Sequence, residues 1–184
     1  MNQGLISKRY ARALFEYAAE RGDDKLLYGY MRICDKGFRA VPGLRETLAN
    51  PMVGRSDKSA LLVNAAGGDV DESFRRFVTL VLENGRETLF HDIALSYMEV
   101  YRRAHNIAVV TLVSVEPMSE LMLERVRLDV ERRIHGRVEL ETRTDPSLQG
   151  GFIFQVGDLR LDASISGQLE RIRQQFIKKN RVIV

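Results

Sequence analysis

At Asn106 the hydrophobic period of the chain changes, and that change limits the folds open to it. Upstream, apolar residues recur at steps of three and four, the period of helices buried along one side. Downstream, Ile107 to Val115 reads IAVVTLVSV, a β-branched run suited to a pleated strand. A chain of 184 residues with one such change divides most simply into two units of ordinary domain size. The expected fold is an all-α N-terminal six-helix bundle over residues 1–105 and a small α+β C-terminal domain over residues 106–184, with Asn106 as the hinge.

The elements follow from local pattern. Ile6, Tyr10, Ala13, Leu14 and Tyr17 form a stripe on a first helix, widened by Ala11, Phe15 and Ala18, with Gly22 as its stop. A second helix runs from about Asp24 to Phe38 and turns Leu27, Tyr30, Met31, Cys34 and Phe38 inward. Pro42-Gly43 opens a short helical turn through Leu48, and Asn50-Pro51 ends it, because a residue before proline avoids helical backbone. Ser56 is the expected cap of a fourth helix carrying Ala60, Leu61 and Val63, which stops at Gly67-Gly68. Asp71 begins a fifth, where Phe74, Phe77, Val78 and Val81 share a face and Leu80 and Leu82 lie off it. Asn84-Gly85 ends that helix, and Leu89, Phe90, Ile93, Ala94, Tyr97, Met98 and Tyr101 mark a sixth.

Beyond Asn106, Pro117 and Ser119 start a helix with Leu123, Val126, Val130 and Ile134 on one face, closed by Gly136. Val138 to Thr144 alternates as a strand, and Asp145-Pro146 is a turn. Phe152, Phe154 and Val156, then Leu159 and Leu161, alternate on either side of Gly157-Asp158, which predicts a tight hairpin with a type II′ turn. The period then returns to helical at Ile165, Leu169, Ile172 and Phe176, with Asp162 or Ser164 as the cap. The predicted order is β-α-β-β-β-α.

Composition excludes several classes. With 45% hydrophobic and 29% charged residues the chain has the material for a core and too little charge imbalance for disorder. Cys34 is the only cysteine, so no intramolecular disulfide forms, and its apolar helical face predicts a core thiol. No stretch matches a membrane span or a secretory signal, which predicts a soluble protein. The arginine-containing, amphipathic start carries Glu16 and Glu20, unlike a transit peptide. The 28 basic residues are interleaved with 25 acidic ones, as on solvated helix faces. Arg9, Arg12, Arg132, Arg133, Lys178, Lys179 and Arg181 come with no nucleic-acid recognition signature, so a basic nucleic-acid-binding module is the alternative reading and nucleic acid is not an expected partner.

Chemistry is scarce. His91, His105 and His135 sit at helix ends with no nucleophile or carboxylate spacing that assembles them, and they read as surface or helix-end residues. Gly150-Gly151 lacks the Gly-Lys-Ser/Thr of a phosphate loop and leads into a strand. Gly68 to Glu72 lacks the central glycine and terminal glutamate of a calcium loop, leaving Asp71 as a cap. No catalytic residue, metal or cofactor is expected.

Three separated motifs carry a resemblance over nearly the whole length. Gly150 to Ile172, GGFIFQVGDLRLDASISGQLERI, closely resembles the C-terminal signature of the delta-subunit family of bacterial F-type ATP synthases, whose mitochondrial counterpart is the oligomycin sensitivity-conferring protein. RYARALFEYA (Arg9 to Ala18) looks like the start of the same family and LVLENGRETLF (Leu80 to Phe90) like its central motif; Ser166 departs, standing where the family often carries arginine. The resemblance implies a non-catalytic stator subunit on the cytoplasmic face of the bacterial membrane, reaching that membrane only through the complex. It implies that the helical domain binds the N-terminal helix of an alpha subunit between helices one and five. Carried onto this sequence, that groove is Tyr10, Ala13, Leu14, Tyr17, Phe77, Leu80 and Val81. The second domain is implied to hold the end of the b-subunit stalk, with Gln168 and Arg171 as contacts. Gly150, Gly151, Phe152, Gly157, Asp158, Asp162, Gly167 and Leu169 form the structural part of the signature.

Overall fold

The computed structural model describes residues 3–134, 136–148, 150–157, 159–165 and 167. The expectations for His135, Asp158, Ser166, Gln168, Leu169, Arg171, Ile172 and Phe176, and so for the final helix beyond its first turn, lie outside those residues. The chain is mostly helical, with a small four-stranded sheet toward its C-terminal end. It forms two compact units, Met1–His105 and Asn106–Val184. Asn106 itself takes a positive φ of 52°, a left-handed conformation that asparagine tolerates better than most side chains.

The first unit contains α1 (Gln3–Arg21), α2 (Asp24–Ala40), α3 (Gly43–Ala49), α4 (Arg55–Ala65), α5 (Glu72–Glu83) and α6 (Phe90–Ala104), with a 3-10 turn at Glu87–Leu89. α6 is the central post, lying against both α1 and α2, while α5 lies against α4. Every residue predicted to face inward on α6, from Leu89 to Tyr101, is buried. Aromatic rings tie the posts together: Phe90 meets Phe38, Phe74 and Phe77 at centroid distances of 6.5, 6.2 and 6.1 Å. Such pairs add to the area their side chains bury.

Local chemistry sets some of the boundaries. Asp71 caps α5 as predicted, its carboxylate accepting from the Phe74 amide at 2.9 Å. Ser56 does not cap α4: the N-cap position is Gly54, which offers no side chain, and Ser56 lies exposed inside the first turn. The inward set on α4 is Lys58 and Leu62 rather than Ala60, Leu61 and Val63. The stripe on α1 is also rotated from the predicted one, since Ser7, Ala11, Leu14 and Ala18 are the buried residues. On α2, Tyr28 is buried where Tyr30 was expected; Tyr30 instead accepts the Asp71 amide through its hydroxyl at 3.2 Å. Leu82, predicted off the buried face of α5, is buried with it.

In the second unit β1 (Ile107–Ser114), β2 (Arg137–Thr144), β3 (Phe152–Val156) and β4 (Leu159–Asp162) line up in the order β2-β1-β3-β4. β1 and β2 are parallel, joined by α7 (Glu120–Ile134), and the other pairs are antiparallel. The crossover helix is what a parallel pair requires. Its Val126 and Val130 pack on Val110, Val138, Leu140, Phe154 and Val156, so one face of the sheet and one face of α7 make the core.

Candidate functional site

The first unit carries a groove of about 400 Å³ between α1 and α5, lined by Ala13, Leu14 and Tyr17 from one helix and Ser73, Arg76, Phe77 and Leu80 from the other. Five of the seven residues nominated from sequence line it together. Burial separates their positions. Leu14 and Phe77 are buried and make the floor, with Phe77 resting on Phe90 of the core. Ala13, Tyr17 and Leu80 are exposed and make the walls, Leu80 being 48% exposed. Tyr10 is half-buried and does not line the groove, and Val81 is wholly buried, turned into the core by its position one residue beyond Leu80.

Two lining residues had not been nominated. Ser73 is buried and spends its hydroxyl on Asp23 at 3.0 Å, so it closes the end of the groove without offering a free donor. Arg76 precedes Leu80 by one helical turn and shares its face, the signal by which a helical projection finds it. Its Nε donates to Glu72 at 2.9 Å, and Glu72, then the Tyr17 phenol, raise its already high pKa. The Tyr17 ring in turn lies under the Arg21 guanidinium, 5.5 Å from the ring centre. One end of an apolar trough is therefore bordered by cationic side chains.

Other polar groups are structural. His91 lies at a helix end as expected, in the first turn of α6, but is buried rather than on the surface, because three elements converge there. Its Nε2 meets Asp35 at 2.8 Å, Arg45 donates to its Nδ1, and its ring stacks on Phe38 at 4.8 Å. An arginine cannot accept, so Nδ1 is the acceptor and the proton resides on Nε2, shared with the carboxylate. Burial alone would raise the Asp35 pKa, but hydrogen bonds from Arg39 and His91 outweigh it and hold the carboxyl below its ordinary value. Lys58, also buried, pairs with Glu87 at 2.7 Å. His105 follows α6 and meets Asp24 at 2.6 Å. Cys34 is fully buried, and burial pushes its thiol up to about 12, which makes it a core residue. Among the described residues no group of three or more metal-ligating side chains comes together, and no helix is long and apolar enough to cross a membrane.

The C-terminal signature is a packing device in the second unit. Gly150 and Gly151 take φ of 118° and 78°, and a Cβ on Gly151 would stand 2.4 Å from the Ala163 carbonyl oxygen. The strand ladder continues past β4 there: Ala163 donates to the Phe152 carbonyl at 2.9 Å and Ile165 to the Gly150 carbonyl at 3.1 Å. Asp162 accepts from the Ser164 amide, and Ser164 accepts from the Gly167 amide at 3.0 Å, so Ser164 is the residue that caps the turn beginning at Ile165. A Cβ on Gly167 would meet the Asp162 carboxylate at 2.6 Å. Gly157 has a φ of 56°, as primed hairpin turns require, and Phe152 is 39% exposed at the start of β3.

The groove thus takes Ala13, Leu14 and Tyr17 from the first motif and Leu80 from the start of the central one, and the glycines of the last motif form a strand lock. The family model described as ATP synthase delta (OSCP) subunit matches residues 6–176. The chain belongs to the ATP synthase delta (OSCP) family. It is 46% identical to the ATP synthase subunit delta of Bacteroides thetaiotaomicron over the whole of both chains. It is 44% identical to that of Phocaeicola vulgatus over 98% of each. Among solved structures, a chain of the Toxoplasma gondii mitochondrial ATP synthase hexamer has the same fold, with a TM-score of 0.70 at 21% identity over 94% of this chain and 97% of the other. Delta (OSCP) proteins are structural subunits of ATP synthase rather than its catalysts, in keeping with the scarcity of reactive groups in the sequence.

Proposed function

We infer that the chain is the stator subunit that ties the catalytic head of an F-type ATP synthase to its outer stalk, at the cytoplasmic face of a bacterial membrane. Ion flow turns a rotor inside the head, and unless the head is held, it turns with the rotor and makes no ATP. The observation that carries this reading is the α1–α5 groove, whose exposed walls and apolar floor suit the apolar face of an amphipathic helix. The occupant is the N-terminal helix of an alpha subunit, and the affinity comes chiefly from water released on covering Leu14, Tyr17, Phe77 and Leu80. The second unit takes the end of the b-subunit stalk; Gln168 and Arg171, nominated for it, lie outside the described residues. The membrane is reached only through the rest of the complex.

Calorimetry of the full chain with a synthetic peptide of the alpha N-terminal helix, at two salt concentrations, tests this. One-to-one binding with a negative heat-capacity change is the expected result. Ala13→Trp, which fills the groove from its wall, is expected to weaken that binding by about 1 to 3 kcal/mol. No binding to the peptide, with salt-sensitive binding to nucleic acid instead, would replace the stator reading with that of a basic nucleic-acid-binding module.

A further inference from the structure

Arg76 is the only ionised side chain among the described residues that line the groove. Its side chain is 66% exposed; its Nε donates to Glu72 at 2.9 Å, and the Tyr17 phenol is a second hydrogen-bond partner. An arginine carries five donors in a planar fork, and those that Glu72 and Tyr17 do not take are open to water. Any helix laid between Ala13 and Leu80 displaces that water. A purely apolar occupant would strand the guanidinium donors, at a cost that selects against it. We propose that Arg76 sets the specificity of the groove by requiring a carboxylate on the partner helix at the edge of its apolar stripe.

The spacing follows from α5. Arg76 and Leu80 are four residues apart on one helix, a rise of about 6 Å. A partner helix lying along the groove meets that interval with residues three or four apart. Its recognition pattern is therefore an apolar anchor over Leu80 and an Asp or Glu about one turn away. Glu72 and the Tyr17 phenol do not remove this requirement, because the fork carries five donors and the side chain that lines the trough is still 66% exposed. Arg21, over the Tyr17 ring, is a second guanidinium at that end and is paired with Asp23 at 3.2 Å.

The proposal rests on the groove reading, and the experiment separates the two. The full chain and its Arg76→Glu and Arg76→Gln variants are titrated with the alpha N-terminal peptide and with versions in which each acidic residue is replaced in turn by lysine. Charge reversal at Arg76 is expected to weaken the parent peptide about tenfold, and neutralisation less. One lysine-substituted peptide is expected to bind Arg76→Glu better than it binds the wild type, a rescue that a merely structural role for Arg76 does not produce. If the parent peptide binds but Arg76→Glu matches the wild type, or no lysine peptide rescues it, the charge requirement is wrong and the groove reading stands. If the parent peptide binds none of the proteins, both fall.

Discussion

Gly151→Ala should destabilise the second unit far more than its single added methyl suggests, and Gly157→Ala provides the control. Both glycines have positive φ, so each alanine meets the left-handed backbone penalty of about 1 to 2 kcal/mol. At Gly157 nothing lies within 4 Å of the new Cβ, so that penalty is the whole effect. At Gly151 the Cβ would lie 2.4 Å from the Ala163 carbonyl oxygen and 2.8 Å from the Ser164 Cα, both inside the 3.0 Å that real Cβ atoms keep. Both neighbours are backbone, so no side-chain rotation relieves the clash. Moving Ala163 pulls on its 2.9 Å bond to Phe152 and on the cap at Ser164. Overpacking of this kind adds about 1 to 3 kcal/mol, for a total of about 2 to 5 kcal/mol at Gly151. All six tyrosines lie in the first unit and the chain has no tryptophan, so tyrosine emission reports on that unit alone. The second unit is followed by hydrogen exchange at the β1 and β3 amides in a urea series. Equal loss of protection in the two variants would refute the argument, since it would mean that the close approach at Ala163 costs nothing.

Two further outcomes follow from the buried polar groups. Removing Lys58 leaves Glu87 without the partner that holds its carboxyl low against burial, so Lys58→Met should cost about 3 kcal/mol at neutral pH in urea unfolding, and adding Glu87→Leu should recover part of it. Asp35 has its carboxyl held below its ordinary 3.8, so its ionised form stabilises the fold fully above that value, and the benefit is lost as pH falls through the lower folded value. The stability gap between wild type and Asp35→Asn should therefore be constant from neutral pH down to about 4 and narrow below it; a gap that widens on acidification would contradict the assignment.

What could be read from the sequence was what local chemistry decides. The Asp71 cap, the hairpin about Gly157 and the change of period at Asn106 each depend on a few neighbouring residues, and each appears where the pattern put it. The stripe on α1 was blurred because apolar residues surround that helix: Leu14 faces the floor and Tyr17 the wall, and no periodicity distinguishes a core from a groove. Val81 was nominated for the groove on the same ambiguity, one residue from the exposed Leu80. Lys58 and His91 escaped because a buried charge or imidazole is tolerated only when distant partners satisfy it, and Glu87, Asp35 and Arg45 are 29, 56 and 46 residues away from theirs. The double glycine was legible as a turn, but the reason for it, a carbonyl twelve residues later, belongs to the folded strand lock.

The position of β1 governs how the second unit meets a pull. The chain leaves the first unit at His105 and enters β1 directly, so tension passed along the backbone arrives at Ile107 and runs along that strand. β1 is an inner strand, paired with β2 along its whole length and with β3 from Val110 to Ser114. Its bonds to β3 stand across the strand and those to β2 are slanted, so a pull along β1 bears on both ladders. An outer strand in the same place would peel. For a subunit proposed to hold a head still against a turning rotor, the chain thus crosses between its two units through an inner strand held on both sides.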